Sequence, residues 1–465
     1  MFGFVEGVLN AIHSAVKGVS TVLWDYALIF LLCGTGIYFS FRLKFVQVRK
    51  FKKGMKTLFG GFKLKGEKAN EKGMSPFQAL STAVAAQVGT GNIAGAATAI
   101  ASGGPGAIFW MWISAFFGMS TIFAEATLAQ TYKTTVEGET VGGPVYYIRA
   151  AFKGRFGKIL AGCFAVLIVV ALGFTGNMVQ SNAISSAFQT AFDTPPLAVG
   201  IVVAIAAGFV FFGGISRIVA ITEKIVPVMA GLYILGSLVV IGVNYRSFFP
   251  MLGDIFVGAF NPQAVVGGIL GAGVKEAIRY GVMRGLFSNE AGMGSTPHAH
   301  ALAKVAHPCD QGVTAVIGVF IDTFVVLNMT AFTILSTGVL DGKTDGAPLA
   351  QKAFSSVFQG AGGIFIAVCM LFFAFSTIIG WYFFGQVNVK YLFGKKAVKI
   401  YSIIVLLFIV AGSVLKLDFV WDLSDACNGL MVIPNLIGVL ALSGVVVKQL
   451  KEYERLTRDR IPETK

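Results

Sequence analysis

Apolar residues run almost unbroken for stretches of twenty or more positions, and clusters of polar and basic residues separate the runs. Read in order they predict eleven membrane-spanning helices, near 20–41, 76–100, 106–131, 157–182, 197–215, 222–243, 263–302, 311–338, 361–389, 398–415 and 422–447. Each is close to or above the ~20 residues that a helix needs to cross a bilayer. Barrel strands would alternate apolar and polar positions, and these runs do not. Two of the eleven are heavily interrupted. The second contains Q-V-G-T-G-N-I-A-G, Gln87 to Gly95, and the seventh contains G-L-F-S-N-E-A-G-M-G-S-T-P, Gly285 to Pro297. The glycines at 89, 91 and 95 are spaced almost like a dinucleotide-binding fingerprint, which requires a preceding strand and an acid ~20 residues on. The segment lies inside an apolar run, and no Asp or Glu occurs between Glu71 and Glu125, so the nucleotide reading is set aside.

The placement of the breaks carries more information. Five spans run from the second to the sixth and five from the seventh to the eleventh. Five is odd, so the two sets start on opposite faces of the membrane and carry their breaks at matching positions. That is the pattern of an inverted-topology repeat with a binding site near the midplane. The chain divides accordingly into an extra span with a basic loop (1–75), a first repeat (76–243), a second repeat (263–447) and a tail (448–465). An unwound segment in lipid costs several kcal/mol per orphan backbone group. Freed amides at a half-helix N-terminus suit a carboxylate, and freed carbonyls at a half-helix C-terminus suit a cation. A glycine kink for close helix packing would explain one break more readily than two.

Composition agrees: 55% of the 465 residues are hydrophobic and 13% charged. The chain is an all-α polytopic membrane protein, expected in the cell (plasma) membrane, the inner membrane if its source is prokaryotic. Its net charge of +14 does not imply nucleic acid, because the basic residues sit between spans, most densely from Arg42 to Lys56. By the positive-inside rule the loops near 42–75, 132–156, 216–221, 303–310 and 390–397 and the C-terminal tail are expected in the cytoplasm, with the N-terminus outside. The cysteines at 33, 163, 309, 369 and 427 form no metal or disulfide pattern. No lysine or arginine precedes Lys17, so a cleaved signal peptide is not expected.

The stretch G-G-P-G-A-I-F-W-M-W-I-S-A-F-F-G, Gly103 to Gly118, resembles the signature of the alanine or glycine:cation symporter family, the sodium:alanine symporters. S-N-E-A-G-M-G-S, P-H-A-H-A and A-A-Q-V-G-T-G-N-I-A-G are similar to that family too. The resemblance implies a LeuT-type fold of five plus five inverted spans, here after one extra span, within the amino acid-polyamine-organocation superfamily. It implies import of a small neutral amino acid, alanine or glycine, with sodium as coupling ion and no other cofactor. No obligate protein partner and no nucleic acid are expected.

Carried over residue by residue, the resemblance places the substrate carboxylate on the amides of Thr90 and Gly91. The facing break offers backbone at Ser288, Asn289, Gly292, Met293 and Gly294 to the amine, and Phe287 closes over the site. Gln87 and Asn177 are candidates for hydrogen bonds to the substrate, or for polar contacts between helices. In F-F-A-F-S-T-I-I-G-W, Thr377 and Trp381 share a helical face. The resemblance makes Ser376 and Thr377 a sodium-binding pair with the carbonyls of Ala85, Val88 and Phe373; without it, they read more readily as packing hydroxyls. Not every residue of a second sodium site has a counterpart.

Acids inside a membrane are costly and need a reason. Glu290 has two readings, influence on a cation or proton and, slightly favoured, holding the unwound seventh span open by bonding backbone amides. Glu125 is expected to pair with a basic residue near the inner surface, and Asp322 has no assignment. The run H-A-H-A-L-A-K-V-A-H is expected as a loop at the inner mouth rather than a metal site. Residues 347–358 read as a short amphipathic capping helix. A proton-coupled permease is the rival within transport. A membrane enzyme would need a nucleophile elbow or H-E-x-x-H, and neither is present. A channel fits two broken helices poorly.

Overall fold

Helix dominates because each apolar run satisfies its own backbone groups. The computed structural model describes residues 2–60, 73–261 and 273–458. Among them eight helices are long and apolar enough to cross a membrane: Ala11–Arg42, Gly106–Thr131, Gly154–Phe192, Gly214–Val243, Pro308–Thr337, Gly360–Phe393, Ala397–Val414 and Asp418–Ala441. The remaining expected spans take other forms. The fifth is a 16-residue helix, Pro196–Phe211. The second is split into Pro76–Gln87, a π-helical turn Gly91–Gly95 and Ala96–Gly103. The seventh is split into Val274–Asn289 and Pro297–Ala301; its expected residues 263–272 lie outside the described residues.

Local chemistry sets these boundaries. Ser75 and Gln78 form a reciprocal capping box with Pro76 at the first helical position, which starts the second span sharply. Glu290, at φ 57°, takes the left-handed conformation that ends Val274–Asn289. Gly292 and Gly294, at φ 87° and 78°, carry the chain through backbone that only glycine adopts without strain.

Several elements differ from the sequence reading. The 42–75 region is not all loop, since Val46–Arg49 and Phe51–Gly60 are helical. The 132–156 region holds an antiparallel hairpin, Thr134–Val136 with Glu139–Val141, and the helix Pro144–Ala151. A further helix, Phe248–Phe260, was not expected. The capping helix is present as Gly346–Phe358.

Contacts bring the basic segments to one end of the bundle. Met74 bridges to Ala303, and Lys133 Nζ donates to the Ala303 carbonyl at 3.0 Å. Arg49 pairs with Glu454 at 2.7 Å, and the hairpin residue Glu139 pairs with Lys390 and Lys395. Large apolar side chains such as Phe30, Ile205 and Leu235 are exposed on the bundle's flanks, where lipid would cover them. Buried polar side chains line both breaks, among them Gln87, Thr90, Asn92, Ser288, Asn289 and Glu290.

Candidate functional site

The first break opens where Val88 turns extended, with φ −81° and ψ 90°. The amide of Gly89, which would have bonded the Ala85 carbonyl in a continuous helix, instead donates to Asn92 Oδ1 at 2.9 Å. The carbonyl it leaves is approached from the ninth span, by Thr377 Oγ1 at 3.0 Å and Ser376 Oγ at 3.3 Å. Thr377 Oγ1 also lies 3.5 Å from the Val88 carbonyl and 3.2 Å from that of Phe373. One hydroxyl hydrogen serves one acceptor well, so three carbonyls around it leave lone pairs converging on one point. Five oxygens from two helices suit a hard cation. A Cβ added at Gly89 would lie 2.2 Å from Thr377 Oγ1, so glycine is what lets the helices approach this closely.

The structure thus brings together Ala85, Val88, Phe373, Ser376 and Thr377, the residues that the resemblance implies as sodium ligands. Thr90 donates its amide to Gln180 Oε1 at 3.2 Å. Gly91 packs against Ser288, whose Cα would lie 3.0 Å from a Cβ at 91. Gln87 bridges the breaks, its Nε2 donating to the Asn289 carbonyl at 2.7 Å. Asn177 Nδ2 donates to the Gly173 carbonyl at 2.9 Å. The oxygens Asn177 Oδ1, Thr90 Oγ1 and Ser181 Oγ are buried without a hydrogen-bond partner. Asn177 and Ser181 are one turn apart, and Thr90 touches the same turn through Gln180. Buried polar groups left unpaired cost ~1–3 kcal/mol each, so these oxygens suit the polar groups of a small ligand. Gln180 and Ser181 were missed from sequence, although Gln180 closes the motif G-F-T-G-N-M-V-Q from which Asn177 was chosen.

Glu125 is not paired with a basic residue; it is the cap of the second break. Its carboxylate accepts the amides of Gly292 and Gly294, each at 3.0 Å, and Asn435 Nδ2 at 2.6 Å. Asn435 Nδ2 also reaches the Gly292 carbonyl at 2.9 Å, and Tyr147 donates its hydroxyl to Asn435 Oδ1. Glu290 therefore does not bond the freed amides as expected. Its carboxylate accepts from the Ser295 hydroxyl and from Trp381 Nε1. Met293 donates its amide to the Glu290 carbonyl at 3.1 Å.

Asp322 ties the breaks together. It lies in a widened turn, Phe320–Leu327, of the eighth span. Its Oδ1 accepts Asn92 Nδ2 at 2.7 Å and Ser288 Oγ at 2.9 Å, while Oδ2 accepts Thr323 Oγ1 at 2.9 Å. One carboxylate thereby fixes both unwound segments.

The aromatic side chains form a wall. Phe287 meets Trp381 edge to face, with centroids 5.7 Å apart, and Trp421 at 5.1 Å. Arg284 lies over Trp421 and pairs with Asp425 at 3.0 Å. Beyond this wall is a cavity of about 280 Å³ lined by Arg284, Trp421, Asp422 and Asp425. A second cavity, of about 410 Å³, opens at the basic end and is lined by His298, Tyr382 and Lys390. Neither is lined by Thr90, Asn177 or Trp381. His298 and His300 are not in a loop. They lie buried on Pro297–Ala301 because their rings are paired, His298 with the Ser295 carbonyl and Asn388, and His300 with Gln311. Among the described residues no cluster of three or more His, Cys, Asp or Glu suits a metal.

Residues 9–464 match the family described as "Sodium:alanine symporter family". The chain is 42% identical over 452 residues to the Sodium/alanine symporter AgcS of Methanococcus maripaludis, covering 96% of this chain and 98% of that one. It is 42% identical over 445 residues to the Amino-acid carrier protein AlsT of Bacillus subtilis, covering 95% and 92%. Among solved structures it resembles MhsT in complex with L-phenylalanine, with a TM-score of 0.58 at 14% identity over 80% of this chain and 90% of that one. That likeness is one of fold, the LeuT type.

Proposed function

The chain belongs to the sodium:alanine symporter family, and on that premise we propose that it imports a small neutral amino acid, alanine foremost, together with sodium by alternating access. One observation carries the reading: the Ala85 and Val88 carbonyls, five and two residues before Thr90, meet the Ser376 and Thr377 hydroxyls. Sodium would be held by those oxygens, and the substrate carboxylate by the Thr90 and Gly91 amides. Both cargoes then order the same unwound segment. Whichever binds first removes part of the ordering cost of the second, and the coupling is reciprocal.

Gln87, Asn177, Gly292 and Met293 contribute polar groups around the substrate, and Phe287 and Trp381 bound its side chain. Gln87 acts by holding the two breaks together. The two repeats, 76–243 and 263–447, rock about this site, opening it in turn toward the two faces of the membrane. The basic end faces the cytoplasm. Labelling of Lys56→Cys by an impermeant thiol reagent added outside intact cells would reverse that orientation.

Equilibrium binding of labelled alanine tests the assignment. Affinity rises with sodium and stays low with choline at equal ionic strength. Binding that follows pH and ignores sodium would favour a proton-coupled carrier.

A further inference from the structure

The cavity of about 410 Å³ at the basic end has a composition that amino-acid transport does not use. Lys390, Lys395 and Lys399 line it against one carboxylate, Glu139. Glu139 is a hairpin residue and pairs with Lys390 and, at 2.9 Å, with Lys395. Lys399 has no ion pair among the described residues.

The position of these lysines is costly for the fold. Ala397–Val414 begins at this cavity, with Lys395 and Lys396 just before it and Lys399 in its first turn. Cations at a helix N-terminus oppose the macrodipole, whereas an anion there is attracted by the free amides and the lysines together. The cavity wall is also apolar on one side. Phe212 lines it and is 58% exposed, and Phe211, Ile215, Val387 and Val398 line it too. An occupant that suits both halves has an anionic head and an apolar body.

We propose that this cavity binds an anionic phospholipid of the adjoining leaflet, its phosphate on Lys395 and Lys399 at the start of Ala397–Val414 and its acyl chains along Phe212, Ile215 and Val398. The volume falls within the roughly 300–1,000 Å³ of small-molecule sites, enough for a headgroup. Lysine is a point-charge partner for phosphate, and basic pockets between spans are where such headgroups lodge. Glu139 is then the built-in competitor. When lipid is bound, its carboxylate shares Lys395 with the phosphate.

Native mass spectrometry of the delipidated full chain tests this, with dioleoyl-phosphatidylglycerol, dioleoyl-phosphatidylcholine and soluble glycerophosphate as probes. Phosphatidylglycerol is expected to be retained in preference to phosphatidylcholine, and glycerophosphate at equal concentration not to displace it. Lys395→Gln with Lys399→Gln is expected to weaken retention about thirtyfold, from roughly one kcal/mol per lysine. Glu139→Gln should strengthen it about fivefold on the same scale, which damage to the fold would not do. A control pair outside the cavity, Lys153→Gln with Lys158→Gln, is expected to leave it unchanged. Equal retention of the two lipids, an unaffected cavity double variant, or a control pair as damaging as the cavity pair would each overturn the proposal. Displacement by glycerophosphate would show a free-phosphate site and overturn the lipid assignment.

Discussion

Thr377 Oγ1 lies 3.0 Å from the carbonyl of Ala85, joining the ninth span to the last helical turn before the first break. Thr377→Val removes that oxygen and nearly preserves shape. Bonds to charged groups are worth ~1.5–3 kcal/mol, so the sodium concentration giving half-maximal alanine binding should rise about tenfold to a hundredfold. Alanine affinity at saturating sodium should change much less. An unmoved midpoint in a sodium titration would remove this hydroxyl from the ion site.

Trp381 presents its ring to Phe287 and its indole N–H to Glu290. Trp381→Ala is therefore expected to admit larger amino acids, with leucine competing about tenfold better against labelled alanine, the scale set by a methylene or two in an apolar pocket. Trp381→Phe keeps most of the ring and loses the bond to Glu290, so its gain should be smaller. The sodium midpoint should stay near wild type in both. Wild-type selectivity in the alanine variant would mean that the ring does not bound the substrate.

Glu125 satisfies two amides and one side-chain amide at once. Glu125→Ala leaves the two backbone amides buried without an acceptor, at ~1–3 kcal/mol each, and leaves Asn435 Nδ2 only the Gly292 carbonyl. A marked fall in apparent melting temperature and loss of alanine binding are expected together. Glu125→Gln keeps the volume but turns a donor toward amides that need an acceptor, and should fall between. A wild-type melting profile for Glu125→Ala would show that the break is held open by other contacts.

Burial pushes Glu139 upward, but hydrogen bonds and charge from Lys390 and Lys395 outweigh it and hold its carboxyl below the ordinary 4.5. A depressed carboxyl contributes stability that is present above its unfolded value and lost as pH falls through the folded one. The hairpin should therefore be indifferent to pH between about 5 and 8, and loosen only below about 4.5. A spin label on Thr135→Cys reports this as mobility. Loosening between pH 6 and 7 would contradict the ion-pair account.

Both breaks were legible in the sequence because glycine and asparagine within an apolar run have no place in a lipid-facing helix. The cluster around Thr377 was legible only through resemblance, since Ser and Thr are ordinary in packed spans. What stayed hidden is pairing across distance. Glu125 meets Gly292 and Asn435, and Asp322 meets Asn92 and Ser288, from parts of the chain whose spacing carries no signal of contact. His298 and His300 misled for a related reason: polarity suggested a loop, while partners from other helices made burial affordable. Phe248–Phe260, at 13 residues, is too short to cross and was not marked by its apolar content.

The central claim is that sodium and alanine move together through the site between the breaks. Purified protein in proteoliposomes, given labelled alanine outside and an inward sodium gradient, tests it most directly. Alanine should accumulate above its outside concentration, collapse to equilibration when choline replaces sodium, and respond little to an imposed pH gradient. Accumulation of the same size without sodium would contradict the account.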